Sequence, residues 1–413
     1  MHALAAPLRL FILCLAVLGL FVLPRPAPAQ TMAKMDLWTQ GTQLRGANIW
    51  QSRNYGVFVQ VGDAPVGPAF NQEDFDALSA LGCNVVNISH PGLFDEDGEP
   101  DPDAIENLDH LLDQIQAADM FAVISFRTGP GRNEMTYNRD EVGDWFTAEQ
   151  LDERVWTDQA LQESWADMWR FTAERYAGHP IVAGYTLMVE PNANEVLQDR
   201  LNDPWDPEEF HAVLGGSAAD WNRWHPALVR AVREVDPDTP ILISPDSYGA
   251  AEWLGHLEPA SARNLVADIH PYMPVPYVFQ APGSSIPWPM PAWAGENWGI
   301  DGADGRWLRE RLDAALQDAA LPVAAMEWGV TRCAPDAANY AADMAAALED
   351  QGLNHAVWAW YPKGFSIWGD GIDVRRGPDL DDHQDLDDSE LLRALGRIWA
   401  ANQVRPSGVT FSP

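Results

Sequence analysis

From residue 43 onward, short β-branched apolar runs alternate eight times with segments of helical period. That alternation constrains the fold more than any motif, because a strand followed by an amphipathic helix makes a βα unit, and such units wind around a parallel sheet. Strands are expected at 44–49, 85–89, 121–126, 182–188, 241–244, 265–269, 323–326 and 356–360. Between them apolar residues recur at three- and four-residue spacing, as in Phe75, Leu78 and Leu81, or Ile105, Leu108, Leu111, Leu112 and Ile115. Further helices are expected at 158–177, 220–235, 303–319, 334–351 and 389–401, with a weakly marked one between Tyr248 and Leu257. Eight units most economically close into an α/β fold, a (β/α)8 TIM barrel, as one domain over residues 30–413. The long segments after strands, at 128–158, 191–220, 273–302 and 362–388, then crowd the C-terminal face, where such barrels build their sites.

The 413 residues are 46% hydrophobic, ample for a core and too apolar for a disordered chain. Acids outnumber bases 61 to 26, a formal charge of −35. This disfavours nucleic acid, whose binding rests on neutralising phosphates, and stable association with an anionic membrane. Lysine occurs only as Lys34 and Lys363, and an acidic surface so poor in lysine points to a salty external medium. Residues 1–29 have the pattern of a signal peptide: Arg9, an apolar run at 10–23, then Ala27-Pro28-Ala29. The run is shorter than the roughly 20 residues a spanning helix needs, so the expected protein is secreted, extracellular or periplasmic. Cys83 and Cys333 fall near opposite ends of the barrel layout, too far apart for a disulfide, and are expected as free thiols.

Two glutamates end apolar strands: Glu190 in Met188-Val189-Glu190-Pro191-Asn192 and Glu327 in Met326-Glu327-Trp328-Gly329. Period-two alternation groups Thr186, Met188 and Glu190 on one side, and Val323, Ala325 and Glu327 likewise, so both acids can face the barrel axis at its mouth. Glycoside hydrolysis needs such a pair, one carboxyl as acid and then base, the other as nucleophile. A strand-end acid can equally be a solvated group or a helix cap, and it is the pairing on the fourth and seventh strands that favours chemistry.

With these motifs the chain resembles glycoside hydrolase family 5, the cellulase and mannanase family of retaining (β/α)8 glycosidases. The likeness runs from Leu44-Arg45-Gly46-Ala47-Asn48 to Trp358-Ala359-Trp360, by way of Glu190-Pro191, His270-Pro271-Tyr272 and Glu327-Trp328-Gly329. It implies that Glu190 is the acid/base and Glu327 the nucleophile. It also implies that His270 holds the first and Tyr272 the second, that Trp358 floors the cleaved sugar's subsite, and that no cofactor is needed. The chain departs from the family in three places. Val189 stands where an Asn normally reaches the sugar, 86–90 lacks an Arg, and 125–129 lacks a His. Arg127 is expected to supply the missing charge and His90 the missing imidazole, with Asn48 and Trp298 as further substrate contacts.

The 19 Trp are many, and Trp145, Trp205, Trp288, Trp293, Trp298 and Trp368 lie in expected loops, where flat faces suit sugars. The segment 272–298 adds Tyr277 and Phe279 among prolines that stiffen it. Trp165, Trp169, Trp221, Trp224 and Trp399 sit on helices and are expected in the core. The acidic runs at 95–99 and 379–388 lack an EF-hand's spacing and are read as solvated loop charge. With no phosphate-cradling Gly-rich loop, no His cluster and no Gly-x-Ser-x-Gly, neither nucleotide, metal nor a serine nucleophile is expected. The expected protein is a monomeric, secreted, retaining endo-β-glycosidase acting on an oligo- or polysaccharide, glucan ahead of mannan. Its rivals are a barrel that binds carbohydrate without cleaving it and a transglycosylase.

Overall fold

The computed structural model describes residues 30–56, 59–365 and 371–412; the leader and Trp368 lie outside the described residues. Eight parallel strands close a barrel: β1 (Arg45–Trp50), β2 (Val85–His90), β3 (Phe121–Phe126), β4 (Val182–Thr186), β5 (Ile241–Ile243), β6 (Leu265–Asp268), β7 (Val323–Trp328) and β8 (His355–Val357). Each pairs with the next and β8 pairs with β1, which leaves no open edge in this sheet. Every expected strand is present, with ends displaced by a few residues.

Around the barrel run α1 (Gln72–Ala80), α2 (Pro102–Ala117), α3 (Gln159–Tyr176), α4 (Trp221–Arg233), α5 (Gly305–Leu316), α6 (Ala337–Asp350) and α7 (Glu390–Trp399). Local chemistry explains α2. The Asp101 carboxylate accepts from the N–H groups of Asp103 and Ala104, Pro102 occupies the first turn, and Ala104, Leu108, Leu111, Leu112 and Ile115 are buried. Each fully buried Leu contributes about 1.5–3 kcal/mol. The helix expected between Tyr248 and Leu257 is instead a 3-10 turn at Ala251–His256. Ser247, Tyr248 and Gly249 before it all have φ between 61° and 72°, which no helix continues.

Strand alternation sorts the core into two layers. Ala47, Ile49, Val86, Ile88, Ala122, Ile124 and Phe126 join the helices' apolar faces, as do the five helical tryptophans expected there. Val85, Phe121, Val123, Ala183, Leu242, Val266, Ala324, Met326 and Ala356 form the interior cluster. Leu37 and Trp38 floor it, with the Trp38 indole N–H donating to the Ala183 carbonyl at 3.0 Å. Outside that floor Gln30–Met32 pairs in parallel with Val409–Phe411. Cys83 and Cys333 are both free. No helix among the described residues is long and apolar enough to cross a membrane.

The alternation expected for β7 is corrected. Ala324 and Met326 face the interior, whereas Ala325 and Trp328 belong to the outer layer. The register against β8 shifts between Ala325 and Trp328, and that irregularity re-aims the residue next to Met326, Glu327. The fourth strand differs too: β4 ends at Thr186, and Met188 packs in the outer layer rather than at the mouth.

Candidate active site

Glu190 is therefore not a strand residue. It lies beyond β4 with φ 54°, a left-handed conformation that a non-glycine residue adopts only when its surroundings enforce it. Those surroundings are visible. Val189 donates its N–H to the Phe126 carbonyl at 2.8 Å. The buried Arg132 guanidinium donates to the carbonyls of Arg127 (2.8 Å), Val189 (2.7 Å) and Glu190 (2.6 Å), and the Tyr137 hydroxyl donates to Val189 at 2.9 Å. On the far side the Tyr248 N–H donates to the Pro191 carbonyl at 2.9 Å.

Glu327 is aimed by a different device. Where the β7 ladder is irregular, side chains satisfy the Met326 peptide groups. Asp268 Oδ1 accepts its N–H at 2.9 Å, and the amides of Asn48 and Asn87 donate to its carbonyl at 2.8 and 3.1 Å. Asn87 also donates to Asn48 Oδ1 at 2.7 Å and accepts from Ser125 at 2.5 Å. A polar layer thus lies above the apolar interior and beneath the carboxylates.

The two acids then meet. His270 Nδ1 is 3.0 Å from Glu190 Oε1 and 3.8 Å from Glu327 Oε2, and the Tyr272 hydroxyl donates to Glu327 Oε1 at 2.9 Å. Glu190, Glu327 and His270 are 8%, 4% and 5% exposed. Glu327 Oε2 is buried and accepts no hydrogen bond, which leaves one oxygen of this carboxylate uncommitted. Burial, and then the charge of Glu190, push Glu327 up from 4.5 to about 7, against the pull of His270, Arg127 and the Tyr272 hydroxyl. Burial works to lower His270, but the charges of Glu327, Asp268 and Glu190 outweigh it and hold the imidazole well above its ordinary range.

Arg127 and Trp358 border this pair. Arg127 Nε donates to Glu134 Oε1 at 2.8 Å, and the guanidinium lies 3.4 Å from the centre of the Tyr137 ring and 5.3 Å from that of Trp358. The Trp50 indole donates to the same Glu134 oxygen at 3.1 Å. Trp358, linked to Ala359 by a cis peptide, packs with Trp50 and Tyr361.

Three sequence candidates are not brought to the carboxylates. His90 follows the outward alternation of β2 and meets Asn107 of α2 at 3.2 Å; burial pushes it down to about 3, so it is a neutral packing residue there. Asn48 is fully buried and spends its amide on backbone carbonyls of β7 and β8. Trp298 stands 58% exposed on the short turn Glu296–Trp298. Of the loop aromatics, Trp288 and Tyr277 turn out to be core, packed at a tilt against each other and, for Trp288, edge-on against Tyr340, whereas Trp145, Trp205, Trp293 and Phe279 are exposed. Phe279 lies 5.2 Å from the Tyr272 ring. Sequence reasoning missed Arg132, Glu134 and Tyr137; their one signal is polar side chains clustered in a loop directly after β3.

Among the described residues, only Glu190, His270 and Glu327 bring three ionisable ligand atoms within 4.8 Å of one another. His270 Nδ1 lies between the two acids and Tyr272 holds one Glu327 oxygen, so the arrangement is that of an acid pair bridged by an imidazole.

A (β/α)8 barrel carrying two buried carboxylates at the ends of its fourth and seventh units is the architecture of a glycoside hydrolase, and this chain is one. It belongs to glycosyl hydrolase family 5, the cellulase family, which matches it over residues 38–364. Among solved structures it is similar to endoglucanase Cel5A of Thermotoga maritima, at 16% identity over 88% of this chain and 100% of that one, with a TM-score of 0.59. The Clostridial cellulose synthase subunit Z from Clostridioides difficile matches at 16% identity over 86% and 99%, TM-score 0.58. Endoglucanase Cel5A of Pseudomonas stutzeri matches at 18% identity over 89% and 97%, TM-score 0.55. No curated protein matches the chain.

Proposed function

We propose that this hydrolase is secreted, acts as a monomer on an oligo- or polysaccharide, and cleaves internal β-linked bonds with retention, β-glucan ahead of mannan. The observation that carries the reading is the close approach of the acids, with carboxylate oxygens within 4.8 Å of one another. Retention needs carboxyls about 5–5.5 Å apart, because the second acid must reach the anomeric carbon itself; inversion needs a gap wide enough for water.

Glu327 Oε2, the oxygen with no hydrogen bond, attacks the anomeric carbon while Tyr272 holds Oε1. Glu190 protonates the departing oxygen as the glycosidic bond breaks, and the sugar is left esterified to Glu327. Glu190, now a carboxylate, takes a proton from water, whose oxygen attacks the same carbon and frees Glu327. The substrate order draws on solved relatives: Thermotoga maritima Cel5A is recorded with cellobiose and with mannotriose, and other neighbours are endoglucanases.

Reducing-end release by residues 30–413 from β-glucans, mannan and xylan, beside Glu327→Ala and Glu190→Ala, tests the reading. Each variant is expected to lose about a thousandfold or more in turnover. NMR of the first product is expected to show the anomeric configuration of the substrate. Silence across the panel from a folded protein that still binds oligosaccharide sinks the proposal in favour of the binding barrel.

A further inference from the structure

We propose that His270 rests as an imidazolium enclosed by three carboxyl groups, and that the buried Asp268 behind it is the positioning residue that keeps it so. The inference rests on the reading of Glu190 and Glu327 as the catalytic pair.

The His270 side chain is 1% exposed. Its Nδ1 faces Glu190 and Glu327 at 3.0 and 3.8 Å, and its Nε2 faces Asp268 Oδ2 at 3.8 Å. Asp268 has no exposure at all and, among the described residues, no arginine or lysine partner. The ring is held in place from the loop after β5: Gly249 has φ 72°, and a Cβ there would lie 3.2 Å from His270 Cγ. The other ionisable groups facing this space are Tyr272, which donates to Glu327, Tyr248, which is bound to Asn192 and Glu195, and Arg127. The Arg127 charge is already engaged by Glu134 at 2.8 Å. Among the described residues His270 is therefore the cation left to balance Glu327 and Asp268.

Tautomers lead to the same result. A neutral ring protonated on Nδ1 turns its Nε2 lone pair toward the Asp268 carboxylate, and one protonated on Nε2 has no N–H to offer Glu190 Oε1 once that acid has given up its proton. Only the doubly protonated ring presents N–H on both sides. In the reaction, the Glu190 O–H bond breaks and the leaving oxygen gains that proton; the new carboxylate then faces an imidazolium N–H instead of two further anions. When Glu190 takes a proton back from water, His270 is unchanged. The ring keeps both its protons throughout, and its charge eases each transfer.

The test is nitrogen-15 NMR of histidine-labelled enzyme, with the His270 signals assigned by their loss in His270→Asn. Both ring nitrogens are expected to give the imidazolium pattern from pH 5 to about 8, well above the ordinary value near 6.5. A neutral ring in the wild-type protein at pH 7 overturns the proposal, whether or not the enzyme is active, so this outcome is separable from failure of the hydrolase reading. Asp268→Asn keeps an oxygen to accept the Met326 N–H and removes only the charge. It is expected to lower the pH at which His270 loses its proton by about a unit or more, and to move the alkaline limb of kcat/KM down with it while KM changes less than about threefold. A loss of rate equal at every pH, with His270 still charged, would assign Asp268 a merely structural role. If the variant does not fold, the wild-type spectrum alone decides.

Discussion

In the proposed mechanism Glu327 has to be a carboxylate to attack, yet burial and the neighbouring Glu190 raise it from 4.5 to about 7. The folded protein therefore binds a proton here that the unfolded chain has released. Stability from this group is fully present below pH 4.5 and is lost as pH rises toward 7, because each pH unit in that window makes the unfolded state relatively cheaper. Glu327→Gln has nothing to release. It is expected to unfold like the parent near pH 4 but to be more stable at pH 8 by roughly 1–3 kcal/mol. Thermal melts of both proteins across that range check the sign, and equal melting at pH 8 would mean that the site tolerates the ionised acid at no cost. For the same reason kcat/KM is expected to fall as pH drops below about 7, where Glu327 gains its proton. The identity of both acids was legible in the sequence because each closes an apolar run. The proton balance was not, since it depends on Asp268 and His270 from the end of β6 meeting Arg127 from the end of β3.

At the scale of elements, both acids of the proposed catalytic pair are delivered where regular structure breaks. The strand positions were legible from β-branched runs, and the helix positions from apolar stripes such as that of α2. The breaks were not, because the groups that stabilise them are distant: Asn48 and Asn87 reach the Met326 carbonyl from 278 and 239 residues away, and Arg132 reaches Glu190 from 58. The period-two argument accordingly misassigned Ala325 and Met188, and His90, expected at the site, instead follows the outward alternation of β2 to Asn107. The turn after β4 offers a direct test, because Arg132 is 1% exposed and binds three carbonyls with one planar fork. Arg132→Leu strands those carbonyls and is expected to cost about 3 kcal/mol of stability, with kcat falling at least about tenfold as Glu190 loses its aim. Arg132→Lys, a point charge without the fork, is expected to restore only part of either loss. Full kcat in the Leu variant would show that the left-handed turn holds without its clamp.

For the molecule as a whole, a charge of −35 on one barrel sets acids against one another over much of the surface, whatever local pairs such as Arg175 with Asp109 recover. Self-repulsion of that kind destabilises the compact state and is long-ranged in dilute salt. The Debye length falls from about 10 Å at 0.1 M to about 3 Å at 1 M, short enough to uncouple neighbouring carboxylates. The melting temperature is therefore expected to rise by several degrees between those concentrations of a neutral chloride salt, and solubility is expected not to fall. Repulsion can be told apart from a general salting effect by pH. Near 4.4, the pI of the sequence, the net charge vanishes and so does the quantity that salt screens. A rise in melting temperature that disappears on approaching that pH assigns the effect to charge. One that persists unchanged there, or a solubility that drops as salt is added, removes the argument for a protein suited to a saline medium.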